Sequence, residues 1–222
     1  MNNFTAVIFD MDGTLIDSMQ IWRNVDKEFL HCRGLEVPTD LFENLPSGNS
    51  FIQTAQYFKT RFGLPDSPES IMQEWTKMVC NHYENNIKLK PGATELLIAL
   101  KEKGIKIGLG TSNSLELAKK VLMRNAVWHY FQCAITGDID LMGKPYPDIY
   151  LKAAKHLCEE PQHCLVIEDT LTGVQAGKAA GMTVFAVYDE DSRDQHSSMK
   201  MVADGFFPDL KILSEEFFRI LE

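Results

Sequence analysis

Two kinds of apolar pattern divide the chain. Short runs rich in Val, Ile or Phe recur at 5–9, 105–109, 133–135, 164–167 and 183–187. Each is too short for a typical helix, and each reads as a strand. Helix-like stretches lie between the later runs. The stretch 94–103 stops at Gly104, and 114–124 opens on Ser114, a cap candidate, with Glu116 two residues on. The stretch 149–157 follows a proline-rich turn, and 173–180 stops at Gly181. Such alternation predicts an α/β fold, a Rossmann-like parallel sheet with helices on both faces.

Residues 18–88 break the alternation. They hold no convincing strand run and read as three helices, near 19–32, 51–62 and 68–85, separated by Gly and Pro turns. Met, Trp, Phe and Leu recur there at helical spacing. The expected organisation is an α/β core of residues 1–17 and 89–222, interrupted after its first strand by a helical domain of residues 18–88. No internal repeat or low-complexity segment is found.

Composition narrows the class. The 222 residues suit one sizeable core plus a smaller insertion. Hydrophobic residues make up 45% and charged residues 24%, which is ordinary for a water-soluble globular protein. A formal charge of −9 with no run of Lys or Arg argues against nucleic-acid and membrane partners. The N-terminal apolar run is too short for a leader, and no uncharged run approaches the roughly 18 residues of a membrane helix. Five cysteines with no C-x-x-C pair indicate neither a disulfide framework nor a zinc site. The expectation is a cytoplasmic protein with reduced, mostly buried cysteines, for which a monomer suffices.

Candidate chemistry gathers where strand runs end. Asp10 and Asp12 follow the first run, in Asp10-Met11-Asp12-Gly13-Thr14. Residues two apart in extended chain point the same way, so the two carboxylates repel unless a cation, a shared proton or a turn relieves them. Alone, the motif also reads as a turn at Asp12-Gly13 capped by Asp10. Thr111, Ser112 and Asn113 follow the second run and precede a helix; a hydroxyl and backbone N–H groups there make a phosphate seat, or a routine helix cap. Lys144 follows the third run and can neutralise an anion at the sheet edge. Glu168 and Asp169 follow the fourth, a carboxylate pair whose burial without a cation is expensive. Oxygen ligands of this kind suit a hard divalent ion such as Mg²⁺. Open α/β sheets place their sites along this edge.

With these four motifs in order, the sequence resembles the haloacid dehalogenase superfamily, in the branch with a helical cap after the first strand. That branch includes β-phosphoglucomutase and many sugar-phosphate phosphatases. The matching stretches are 7–17 (VIFDMDGTLID), 108–113 (GLGTSN), 143–148 (GKPYPD) and 166–177 (VIEDTLTGVQAG). The resemblance implies that Asp10 attacks phosphorus to form an aspartyl-phosphate, while Asp12 protonates the leaving oxygen and later activates water. Thr111 and Lys144 hold the phosphoryl oxygens. Mg²⁺ sits between the Asp10 carboxylate, the Asp12 backbone carbonyl and Asp169, with Glu168 supporting or ligating. Ser112, Asn113, Ser18, Trp22 and Asn49 are candidates for substrate contact, and the cap hinges lie near Asp17 and Lys88. A halide-displacing enzyme needs no acid at the position of Asp12, which argues against a true dehalogenase.

Two departures bear on activity. Where β-phosphoglucomutase carries a cap histidine this chain has Trp22, and the neighbourhood of its cap arginine reads Pro46-Ser47-Gly48-Asn49-Ser50. From 18 to 88 there are seven basic and nine acidic residues, which does not suit a polyanionic substrate. A Mg²⁺-dependent phosphatase of a small phosphorylated metabolite, such as a sugar phosphate, is the expectation. A mutase-type phosphotransferase, a pyrophosphatase and a non-catalytic phosphate-binding protein are the alternatives. Trp22 reads equally as packing between cap helices. Residues 189–194 are expected to form a solvated loop, and Met123, Trp128, Tyr130 and Phe131 to pack the core edge.

Overall fold

A computed structural model describes residues 4–41, 50–139 and 141–221. Its centre is a six-stranded parallel sheet built from β1 (Ala6–Phe9), β2 (Lys106–Gly110), β3 (Cys133–Ile135), β4 (Cys164–Glu168), β5 (Thr183–Val187) and β6 (Gly205–Phe207). The strand order is β3-β2-β1-β4-β5-β6. Chain order therefore reverses direction at β1, the position where open α/β sheets leave a crevice at the carboxyl ends of their strands.

Strict alternation along the strands makes two cores. Val7, Phe9, Ile107, Leu109, Leu165 and Ile167 face one side; Ala6, Ile8, Cys164 and Val166 face the other. The first core takes in helices α4 (Ala93–Glu102), α5 (Leu115–Arg124) and α9 (Leu210–Leu221). The second takes in α6 (Asp148–Leu157), α7 (Leu171–Ala179) and α8 (His196–Val202). A sheet covered on both faces must be apolar on both, and β1 and β4 are buried at every position. Register then sets the height of the site. Phe9 lies beside Leu109 and Ile167, so Asp10, Gly110 and Glu168 stand together one residue further on.

Between β1 and α4 the chain carries α1 (Met19–His31), α2 (Phe51–Phe62) and α3 (Pro68–Asn85), with no strand among the described residues. Local chemistry fixes their starts. Ser50 and Gln53 form a capping box at α2, and the Ser67 hydroxyl accepts from the Ser70 N–H beside Pro68 at the head of α3. Phe29, Phe58 and Trp75 weld the three helices together, with ring centroids 5.0–6.0 Å apart. Where the chain enters and leaves this segment its two crossings lie side by side. Ile16 bridges Leu89, the Asp17 N–H donates to the Lys88 carbonyl at 3.3 Å, and the Lys90 N–H donates to the Leu15 carbonyl at 2.8 Å.

Three expectations are corrected. Of the five cysteines only Cys164 is buried; Cys32 and Cys158 are exposed. The acidic stretch is solvated at Glu190, Asp191, Arg193 and Asp194 but is not a plain loop: Asp189 and Ser192 are buried, Asp189 pairs with Lys90, and residues 190–195 form a 3₁₀ turn. Met123 is 62% exposed, whereas Trp128, Tyr130 and Phe131 pack on the core. Among the described residues no helix is long and apolar enough to cross a membrane.

One buried charge in the helical segment sits badly with its surroundings. Asp26 of α1 is buried beside Phe29 and Leu30, with no hydrogen-bond or ion-pair partner among the described residues, and burial raises its pKa from 3.8 to about 7. Between these values the unfolded chain releases the Asp26 proton while the native chain keeps it, so this group's contribution to stability falls as pH rises. Asp26→Asn should therefore stabilise the protein, and by about 1 kcal/mol more at pH 8 than at pH 6. Urea unfolding at the two pH values measures the difference.

Candidate active site

Asp10 is the first residue beyond β1, and its N–H donates to the Ile167 carbonyl at 3.0 Å, which locks it to β4. Its carboxylate accepts from Lys144 Nζ at 2.6 Å, and the same ammonium donates to Glu168 at 2.5 Å. Lys144 comes from the segment between β3 and α6, where the Lys144–Pro145 peptide bond is cis. It is buried, and the carboxylates around it outweigh the cost of that burial. Burial works against its charge, but Asp10 and Glu168 hold its pKa well above the usual lysine value.

Glu168 is saturated with donors. Lys144 and the Tyr150 hydroxyl, the latter at 2.9 Å, occupy Oε1. Three groups occupy Oε2: the Asp169 and Thr170 N–H groups and the Thr170 hydroxyl, at 2.8–3.0 Å. Burial alone would raise its pKa, yet Lys144 and these donors bring it below the usual value. The start of α7 is shaped around this residue. A Cβ on Gly173 would stand 1.8 Å from Glu168 Oε1, so only glycine fits there.

Asp10, Glu168 and Asp169 each offer a buried oxygen within 4.8 Å of the others. With every group ionised, three carboxylates and one ammonium leave an excess of two negative charges. Protons make up part of that excess. Burial pushes Asp10 up to about 8 against the pull of Lys144, and burial together with Glu168 and Asp10 holds Asp169 well above the carboxylate range. A hard divalent cation would offset the same excess through oxygen ligands, so the donor set fits such an ion. Asp169 is steadied by Thr14, whose hydroxyl donates to it at 2.7 Å. The turn of residues 11–16 lies against it, and Gly13 at φ +85° leaves no room for a Cβ, which would come within 2.2 Å of the Asp169 carboxylate.

Asp12 has a separate environment. Its carboxylate accepts from Ser18 Oγ at 2.6 Å, from Asn113 Nδ2 at 3.0 Å and from the Tyr83 hydroxyl. Tyr83 belongs to α3, and its oxygen accepts in turn from Trp22 Nε1 at 2.7 Å and Asn113 Nδ2 at 2.9 Å. Burial and the neighbouring Asp12 hold the Tyr83 phenol well above its ordinary pKa, so it stays a donor.

Of the residues expected from sequence, Asp10, Asp12, Thr111, Ser112, Lys144 and Glu168 line one cavity of about 140 Å³, together with Met19 and Thr170. Thr111 is buried, and its hydroxyl accepts from the Asn113 N–H at 3.1 Å. Ser18 and Asn113 touch Asp12 rather than this cavity. Trp22 lies in an adjoining one, half-buried between Phe51 and Tyr83. Asn49 falls outside the described residues. Tyr83, Tyr150 and Thr14 are functional candidates that sequence reasoning missed. Tyr83 continues the stripe Ile71, Trp75, Val79 and so reads as core; the available signal was its hydroxyl, which needs a partner when buried.

Known proteins share this arrangement of elements. The family model of haloacid dehalogenase-like hydrolases matches residues 4–181. The chain is 32% identical over 185 residues to a bifunctional riboflavin kinase/FMN phosphatase of Arabidopsis thaliana, covering 82% of this chain but only 48% of that longer protein. It is 28% identical over 184 residues to hexitol phosphatase B of Escherichia coli, covering 82% of each. Among solved structures, CbbY from Rhodobacter sphaeroides in complex with phosphate has the same fold, with a TM-score of 0.83 at 24% identity over 94% of this chain and 95% of that one. The chain belongs to the haloacid dehalogenase-like hydrolase family, in its phosphohydrolase branch.

Proposed function

We propose that the protein is a Mg²⁺-dependent phosphatase of small phosphomonoesters that works through an aspartyl-phosphate on Asp10. One observation carries this reading: a buried Asp10 paired with Lys144, in an acidic cluster with a net negative excess, opens on a cavity that Asp12 also lines. The phosphatases among its relatives lend further support.

A carboxylate attacking a phosphate ester brings two anions together, and Lys144 offsets their repulsion. Asp10 and Asp169 would hold the cation. Glu168, with both oxygens already occupied, serves chiefly as the counter-ion that aims Lys144. The cation would supply charge neutralisation at the phosphoryl oxygens.

In the first half of the reaction an Asp10 oxygen bonds to phosphorus and the bond to the leaving oxygen breaks, Asp12 giving that oxygen its proton. In the second half water bonds to phosphorus, its proton goes to Asp12, and the Asp10–phosphorus bond breaks to release inorganic phosphate. Thr111, Ser112 and Lys144 orient the phosphoryl oxygens throughout.

Residues 18–88 act as a cap in this scheme, with the paired crossings near Asp17 and Lys88 as its hinges. Tyr83 ties the cap to the acid, holding Asp12 from above while Asn113 holds it from the sheet. Closure would exclude water and complete the constellation in one movement. Hydrolysis is favoured over mutase chemistry because no Lys, Arg or His lines the cavity beyond Asp12, so a second phosphate has no cationic partner there among the described residues.

Three outcomes test the scheme. Asp10→Asn should lower phosphate release by about a thousandfold or more, because it removes the nucleophile. Tyr83→Phe should lower kcat about tenfold with little change in KM, since it loosens Asp12 without touching the phosphoryl seat. Chelation should abolish turnover and added Mg²⁺ restore it; full activity in the chelated protein would contradict the metal assignment.

A further inference from the structure

The cavity next to the phosphoryl seat has features that the reaction core does not use. It measures about 190 Å³ and shares Asp12, Met19 and Ser112 with that seat. At ~30 Å³ for each water-sized group it has room for about six of them. A phosphoryl group in the one cavity would direct its ester oxygen past Asp12, and its alcohol portion into the other.

Trp22, Phe51 and Trp75 wall this second cavity, with ring centroids 5.8 Å and 5.9 Å apart along the series. Asp26 also lines it, 7% exposed and without a partner among the described residues. A buried carboxylate with no partner is expensive, and either a proton or a ligand's donor must relieve it. Burial raises its pKa, as set out above, so in the free protein a proton does so.

Three kinds of leaving group can be weighed against this lining. An anionic one would meet Asp12 and Asp26 and no basic residue, since none lines the cavity among the described residues. A neutral polyol would find polar partners in Thr54, Ser112, Asn113 and the Trp75 Nε1–H, which is unpaired among the described residues, but nothing to offset the charge of an ionised Asp26 beside three aromatic rings. A cation suits both parts of the lining, because aromatic rings and a carboxylate each attract it.

We propose that this cavity selects phosphomonoesters whose leaving alcohol carries a protonated amine, the ammonium seated on Asp26 among Trp22, Phe51 and Trp75. The assignment rests on the phosphatase reading and narrows its substrate class to amino alcohol and amino sugar phosphates. The Asp26 carboxylate would exchange its proton for an ion pair when such a substrate binds. Asp26 is a specificity residue in this scheme and takes no part in the bond changes at phosphorus.

Matched pairs of substrates provide the test. The full-length protein with Mg²⁺ is given aminoethyl phosphate against hydroxyethyl phosphate, and an aminohexose phosphate against the corresponding hexose phosphate. An aryl phosphate reports on the phosphatase core independently. The amine of at least one pair should show kcat/KM about tenfold or more above its neutral partner, and in Asp26→Asn that ratio should fall to near one. Folding of the variant is checked by circular dichroism and thermal unfolding, and it should be at least as stable as the native protein. Hydrolysis of the aryl phosphate with no amine preference, or a preference that survives in Asp26→Asn, would overturn the assignment and leave the phosphatase reading standing. If not even the aryl phosphate is hydrolysed, the phosphatase reading fails and the assignment falls with it.

Discussion

Lys144, held between Asp10 and Glu168 at 2.6 Å and 2.5 Å, is the contact around which the rest of the site is arranged. Placing like charges side by side in a dry interior is tolerable only if each finds partners. The fold meets that demand from several directions. Strand register brings Asp10 and Glu168 to one level, the α7 start turns two N–H groups toward Glu168, and Tyr150 adds a third donor. Gly13 and Gly173 are glycines because the carboxylates of Asp169 and Glu168 occupy the space a side chain would need. What these groups leave uncompensated is negative charge, and that residue of charge makes the site receptive to a cation.

The helical segment supplies two of the donors that hold a carboxylate at the sheet edge. Asp12 is held by Ser18 where that segment begins, by Tyr83 deep within it and by Asn113 on the sheet side. A carboxylate whose orientation depends on both parts of the molecule is fully positioned only when they meet. In the proposed reaction, docking of the segment and readiness of the acid are thus one event. Trp22, which sequence left open between ligand contact and packing, belongs to this linkage through its bond to the Tyr83 oxygen.

Much of the sheet was legible because its strands are buried on both faces and so appear as unbroken apolar runs. The runs at 133–135 and 183–187 coincide with β3 and β5, and the stretches 51–62 and 68–85 with α2 and α3. The end of the chain was harder. β6 has three residues, too few for a periodicity. α9 carries the stripe Leu210, Leu213, Phe217 at helical spacing. Acidic composition pointed residues 189–194 toward solvent, but Asp189 finds its cation at Lys90, a partner 99 positions away that no local pattern discloses. The core motif residues were legible because strand ends on one edge must converge. Tyr83 and Asp26 were not, because nothing in the local pattern of α1 or α3 says what a single side chain faces, and only the packing of α1 on α3 and of α3 on α5 shows it.

The bridge between Ile16 and Leu89 has a consequence for how such a molecule can vary. Departure and return of the long excursion are pinned within a strand spacing of each other, so the sheet experiences the excursion as little more than a tight loop. Entropy charges lightly for added length in a loop whose ends are already fixed. Residues of the excursion other than Ser18 and Tyr83, which hold Asp12, can therefore be lengthened, shortened or exchanged with little effect on strand order or on the charged cluster, while the surface presented to an incoming molecule changes. A scaffold joined in this way can keep one reaction and acquire new clients.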